Sequence, residues 1–226
     1  MTINPARSQT EGKTFTPALG LGALTPLYDA AIALLTRENI WRSALIDAIA
    51  LQKGERLLDV GCGTGSLAVR LATVEPGAQV HGIDPDPDVL QRARSKAATA
   101  AARIEFYEGF LTGEFLACGE PFDVVTSSLV FHQVPLAGKR DLLSMMRRAL
   151  RPAGRLVIAD YSLQRTPLMR RLFRATVQSL DGVDDTQPNA EGVLPELIND
   201  AGFAGVREVR VIPTATGSIS ILAAHR

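Results

Sequence analysis

Cysteine is nearly missing from this chain. There are two, Cys62 within a glycine-rich stretch and Cys118 between Ala117 and Gly119. Two separated thiols build neither a disulfide framework nor a closed thiolate metal site, so a reducing, cytoplasmic setting is expected. Histidine is equally scarce: His81, His132 and His225 are dispersed without ligand-like spacing, and no metal is expected. Net charge is also lacking, because 24 Lys and Arg balance 24 Asp and Glu. No long-range field favours nucleic acid or an anionic surface, and a small, weakly charged partner fits better. No apolar run approaches the ~20 residues a membrane helix needs, and the first residues carry no basic start followed by an apolar core. A G-x-S-x-G elbow for acyl chemistry is absent as well.

What is present reads as one α/β unit. With 46% hydrophobic residues in 226, the chain can bury a sizeable core. Residues 1 to 24, rich in Thr, Gly, Pro and Ala, read as a mobile tail or a lid, and a single domain is expected over 25 to 226. Thr25 and Pro26 suit the start of a helix, and Trp41, Leu45 and Ile49 stripe a second one over about 39 to 50. Short apolar runs at 56–60, 79–83, 104–107, 123–126 and 155–159 then alternate with helical patterns at 66–73, 88–101 and 139–150. Such alternation predicts a parallel sheet with right-handed crossovers. Only Pro213 to Gly217 separates the last two strand patterns, too few residues for a crossover, so the last strand must be antiparallel. The prediction is a Rossmann-like, mostly parallel seven-stranded sheet with helices on both faces. The segment 162–205 interrupts it after the fifth strand. It contains an amphipathic helical pattern over Thr166 to Leu180 and a polar turn over Asp181 to Asn189. In open α/β sheets ligands bind beyond the carboxyl ends of the strands, where this segment can form a lid. Arg170, Arg171 and Arg174 opposite an apolar stripe also suit a membrane-surface contact or an ordinary solvated helix.

The chemistry concentrates after the first strand. Asp59-Val60 runs into Gly61-x-Gly63-x-Gly65 and a helix; the backbone must turn sharply there and let a ligand come closer than a Cβ permits. A dinucleotide fingerprint would place its third glycine at position 66, which is Ser66. Asp84 closes the second strand about 20 residues on, where a carboxylate can take a ribose diol. Loop and carboxylate together select an adenosine-type ligand, although a tight turn and a helix cap would look the same one at a time.

RLLDVGCGTG from Arg56, VHGIDPDPDVLQRAR from Val80, FDVVTSSLVFHQVP from Phe122 and ALRPAGRLVIADY from Ala149 resemble successive motifs of the class I S-adenosylmethionine-dependent methyltransferases. The likeness is to the type 11 branch that holds the ubiquinone and menaquinone C-methyltransferases. It is strong over about 54–161, looser at Tyr28-Asp29 and Trp41-Arg42, and silent on substrate beyond Gln164. The resemblance implies S-adenosylmethionine as cofactor. Asp59, Gly61, Cys62 and Gly63 would surround its amino acid end, Asp84 its ribose and Pro85 its adenine. Tyr28 would add a cofactor contact, and Ser127 would offer its carbonyl to the ammonium group. Relatives carry Gly-Asp after the third strand; here Gly109-Phe110 stands instead, implying an apolar contact to adenine. His132, just beyond the fourth strand, is the candidate catalytic base, as a neutral imidazole removing a proton from a phenol or quinol; packing of its own loop is the plainer alternative. The expected activity is methyl transfer to a small molecule through O, N, C or S. The alternatives are a noncatalytic adenosine-ligand binder and a nicotinamide oxidoreductase. A nucleic-acid substrate is disfavoured because Ser127-Ser128-Leu129-Val130 replaces the Asn/Asp-Pro-Pro-aromatic motif of amine-modifying enzymes.

Overall fold

A computed structural model describes residues 36–226. The helix expected from Thr25, the tail 1–24 and Tyr28 lie outside the described residues. The order of elements is α1 (Glu38–Ile49), β1 (Arg56–Val60), α2 (Ser66–Val74), β2 (Gln79–Asp84), α3 (Pro87–Thr99), β3 (Ile104–Glu108), α4 (Gly113–Ala117), β4 (Phe122–Ser128), a 3-10 turn (Phe131–Gln133), α5 (Leu136–Ala149) and β5 (Leu150–Tyr161). Then follow α6 (Pro167–Ala175), α7 (Val177–Asp181), α8 (Val183–Ala190), α9 (Leu194–Asp200), β6 (Ala204–Thr214) and β7 (Gly217–His225).

The seven strands form one sheet in the order β3-β2-β1-β4-β5-β7-β6. The pairs from β3 to β5 are parallel. β7 runs antiparallel to both β5 and β6, as the short connection requires. Side chains alternate between the two faces and meet helices on each. Leu57 packs with Trp41, Leu45, Leu67 and Leu71 from α1 and α2, whereas its neighbour Leu58 packs with Leu143, Met146, Leu197 and Phe203 from the opposite side.

Local signals set the helix starts. Asp86 caps α3 by accepting from the N–H groups of Asp88 and Val89 at 2.8 and 3.4 Å, with Pro87 in the first position. Thr166 caps α6 in the same way through Met169.

The segment after β5 departs from expectation in two places. The amphipathic pattern over Thr166 to Leu180 is two helices, broken at Thr176 (φ −118°, ψ −80°). Thr176 turns its hydroxyl back onto the Leu172 carbonyl at 2.7 Å and to the Thr216 carbonyl, a local bond that competes with helix continuation. Of the stripe, Phe173 and Val177 are buried while Leu168 and Leu180 stay exposed. The polar run Asp181 to Asn189 is not a turn, because most of it forms α8. Its polar residues are used internally: buried Thr186 donates to the Gly182 carbonyl, and buried Asn189 donates to the Tyr161 carbonyl at 2.9 Å.

Candidate functional site

The carboxyl ends of β1, β2, β4 and β5 bring the sequence motifs together. Gly61 (φ +70°), Gly63 (φ +52°) and Gly65 (φ +70°) all adopt the left-handed backbone that favours glycine. A Cβ at Gly61 would lie 2.5 Å from a Val130 methyl, so the loop rests directly on the chain that follows β4. Around Gly63 the space is open, with nothing within 4 Å of where a Cβ would be. The Gly61 and Cys62 N–H groups donate to the Ile83 carbonyl at 2.9 and 3.1 Å, tying the loop to β2. Gly82 is needed for the same closeness, because a Cβ there would meet the Cys62 sulfur at 2.8 Å.

Asp84 accepts from the Gly63 N–H at 2.8 Å and from the Asp86 N–H at 3.0 Å. Burial raises its pKa while those two bonds oppose the rise. Each carboxylate oxygen retains a lone pair for a further donor. Gly109 (φ +134°) donates its N–H to the Asp84 carbonyl at 2.9 Å, and Phe110 beside it is exposed. Cys62 is buried, and desolvation, helped by Asp59 and Asp84, pushes its thiol well above the usual range.

Asp59 is completely buried at the end of β1, and neither of its carboxylate oxygens has a hydrogen-bond partner among the described residues. Burial pushes its pKa up to about 7; the Arg42 charge pulls against this and the Asp84 charge adds to it. A buried carboxylate without a partner carries an unrepaid desolvation cost. An ammonium group or other donor placed above it would repay that cost.

On the other side, Ser127 is buried and its hydroxyl donates to the Val60 carbonyl at 2.8 Å. Leu129 adopts φ +55°, sparsely populated for a branched residue. After it, the Val130 and Phe131 N–H groups donate to one oxygen of Asp160 at 2.8 and 2.7 Å. The other oxygen takes the His132 N–H at 3.3 Å and pairs with His132 Nδ1 at 2.8 Å. His132 Nε2 faces the Gln133 amide at 3.2 Å and Asp181 of α7 at 3.5 Å, and the ring stands edge-on to Tyr161.

The neutral imidazole expected of His132 is not what this setting favours. Burial alone would lower its pKa, but the charge and hydrogen bond of Asp160, joined by Asp181, raise it to about 9. A raised pKa works against a free lone pair on the ring and so against the role of base. Nearby, buried Lys139 donates to the carbonyls of Val134 and Asp185 at 2.5 and 2.8 Å, joining α5 to α8. Desolvation lowers its pKa to about 8 against the pull of Asp160 and Asp185.

Sequence reasoning missed Asp160, Val130 and Gly82. Asp160 stood in the quoted motif ending the fifth strand, and its one signal was a carboxylate at a strand's carboxyl end. Among the described residues no group of three or more His, Cys, Asp or Glu is arranged to hold a metal, and no helix is long and apolar enough to cross a membrane.

A family model for a methyltransferase domain matches residues 51–194. The chain is 35% identical over 179 residues to a demethylmenaquinone methyltransferase of Clavibacter sepedonicus, covering 76% of this chain and 70% of that one. It is 34% identical over 140 residues to a ubiquinone/menaquinone biosynthesis C-methyltransferase of Paracoccus denitrificans, covering 60% of this chain and 54%, about half, of that one. Among solved structures, magnesium protoporphyrin IX methyltransferase of Synechocystis with bound SAH superposes with a TM-score of 0.64 at 21% identity, over 92% of this chain and 90% of that one. That likeness bears on the fold. Motif, sheet order and family match agree, and the chain belongs to the methyltransferase-domain family, in class I of the S-adenosylmethionine-dependent methyltransferases.

Proposed function

We propose that this protein transfers a methyl group from S-adenosylmethionine to a small-molecule acceptor by in-line displacement in a site closed to water. The observation that carries the reading is Asp59, fully buried beside the glycine loop with both carboxylate oxygens unpartnered among the described residues. That is the environment an ammonium group completes. In this reading Asp59 takes the donor's ammonium together with the Ser127 carbonyl. The open backbone at Gly61 to Gly63, with Cys62, bears its amino acid end. Asp84 uses its remaining lone pairs for the ribose hydroxyls, and Pro85, Gly109 and Phe110 border the adenine.

The bound sulfonium supplies an already activated methyl group. The protein's part is alignment and exclusion of water, which can lower the barrier by ~7 to 11 kcal/mol. The segment 162–205 serves as cover on the acceptor side; Asp181 approaches His132, and Lys139 binds the Asp185 carbonyl, which supports this assignment. His132 stands beneath this cover with Nδ1 held by Asp160, so Nε2 is the nitrogen through which it would act on an acceptor.

The relatives named for demethylmenaquinone put reduced naphthoquinones first among acceptors to test. The experiment is transfer of labelled methyl from S-adenosylmethionine to reduced naphthoquinones, phenols, amines, thiols and phospholipids. Label in one small-molecule class, blocked by the product S-adenosylhomocysteine, supports the reading. Tight binding of S-adenosylhomocysteine with no acceptor labelled would replace it with a noncatalytic adenosine-ligand binder.

A further inference from the structure

One carboxylate holds together the chain segment on which the glycine loop rests. Asp160, 1% exposed at the end of β5, accepts from the Val130, Phe131 and His132 N–H groups and pairs with His132 Nδ1. The backbone it grips begins with Leu129 at φ +55°, a conformation that persists only where its surroundings over-determine it. The surroundings here are the Leu129 N–H bond to the Ala159 carbonyl, at 2.9 Å, and the donors converging on Asp160. The gripped segment then touches the donor side directly, because the Val130 methyls occupy the space that a Cβ on Gly61 would need. The chain from β5 to the glycine loop is therefore continuous: Asp160, the 130–132 backbone, the Val130 side chain, Gly61.

We propose that Asp160 is a positioning residue, which sets the 129–132 backbone so that Val130 seats the glycine loop and His132 is held with Nε2 toward α7. The function of this arrangement rests on the reading of Gly61 to Gly63 as the donor's cradle. Asp160 itself need not touch donor or acceptor. Its effect passes through Val130 on one side and through the His132 ring on the other. The ring is enclosed by groups from several elements: Asp160 and Tyr161 of β5, Gln133 of its own turn, and Asp181 of α7. Beyond it, Lys139 of α5 interacts with the charges of Asp160 and of Asp185 in α8, and donates to the Asp185 carbonyl. An Asn at 160 could still accept on one side but would present N–H atoms to groups that are themselves donors.

The test uses the full chain with Asp160→Asn and Val130→Ala, read by hydrogen exchange, by NMR titration of His132 and by calorimetry with S-adenosylhomocysteine. In Asp160→Asn the 130–132 amides are expected to exchange at least tenfold faster while the β1 and β4 amides keep their rates. The His132 titration should fall from about 9 to below 7, and S-adenosylhomocysteine should bind three- to tenfold more weakly. Val130→Ala leaves the carboxylate intact, so it is expected to weaken S-adenosylhomocysteine similarly while His132 still titrates as in the unmodified protein. The proposal is overturned if exchange rises evenly over the whole chain, which marks a purely structural role. It is equally overturned if both variants bind S-adenosylhomocysteine as the parent does. Should the unmodified protein fail to bind S-adenosylhomocysteine at all, the cradle reading fails instead, and the exchange and titration results then stand apart from it. If Asp160→Asn does not fold, Val130→Ala alone decides: unchanged affinity overturns the link to the glycine loop.

Discussion

Two buried aspartates stand at the carboxyl ends of strands flanking β4, and they are provisioned in opposite ways. Among the described residues Asp59 on β1 has no hydrogen-bond partner, whereas Asp160 on β5 receives three backbone N–H groups and a histidine ring nitrogen. Both are shut off from solvent. Burying a charge costs several kcal/mol unless hydrogen bonds and counter-charge repay it. Asp160 is repaid within the protein and so serves the protein's own architecture. Asp59 is not, and a site that keeps such a debt in the folded state is built around something that arrives later.

The comparison can be broken most severely at Asp160. Asp160→Ala leaves buried donors and the His132 ring unmatched and is expected to cost about 3–5 kcal/mol in urea unfolding. The pH dependence has a fixed sign. His132 rises from 6.5 to about 9 on folding, so its contribution is complete below pH 6.5 and is lost as pH climbs through 9. The gap between parent and variant should narrow over that window; a gap under 1 kcal/mol at pH 6 would mean that the two aspartates do not differ as described.

A smaller and opposite effect is expected at Asp59. Asp59→Asn removes a buried charge, so the unfolding midpoint should stay level or rise, while S-adenosylmethionine binds about 10- to 100-fold more weakly through loss of a charged hydrogen bond worth about 1.5–3 kcal/mol. Melting curves and calorimetry on the same sample check both halves. A lowered midpoint would show that Asp59 is satisfied after all.

Proton linkage sharpens the contrast at the smallest scale. The Asp59 pKa rises from 3.8 to about 7 without ligand, so the folded chain holds a proton that the unfolded chain has released between those values. Its contribution to stability is therefore lost as pH rises toward 7. An ammonium ligand reverses this by favouring the carboxylate. Binding of S-adenosylmethionine at pH 6 should release a proton, with affinity growing by at most about tenfold per pH unit and levelling off above 7. Calorimetry in two buffers of different ionisation enthalpy measures the release directly; no difference between them would detach Asp59 from the ammonium.

How much of this could be read from the sequence followed from how local each feature is. The strands expected at 56–60 and 79–83 were legible because parallel strands buried on both faces appear as short apolar runs bounded by turn residues, and the half-exposed edge strand β3 was legible from Ile104, Phe106 and Tyr107. The glycine loop was legible because its whole geometry is written in consecutive residues. Asp160 was not, since the groups it binds lie 28 to 30 positions earlier and are mostly backbone amides, which leave no mark in a side-chain pattern. For α8 the signal pointed the wrong way. Asp184, Asp185, Pro188 and Asn189 have turn chemistry, but Asn189 reaches the buried Tyr161 carbonyl and Lys139 holds the Asp185 carbonyl, and these tertiary contacts override the local preference. The raised pKa of His132 was hidden for the same reason: it depends on Asp160 and Asp181, neither adjacent to it in sequence.

The placing of β7 between β5 and β6 has a consequence for how the chain is made. Among the described residues β6 pairs in the sheet only with β7, so it has no strand to join until β7 has emerged from the ribosome. Until residues up to His225 emerge, the hydrogen-bonding edge of β5 from Arg155 to Tyr161 stays unpaired. A nascent chain stalled between Thr214 and Gly217 would present that edge, flanked by the side chains of Leu156 and Ile158, to other chains. The seam that completes the sheet therefore closes the β5 edge only when the last strand is in place.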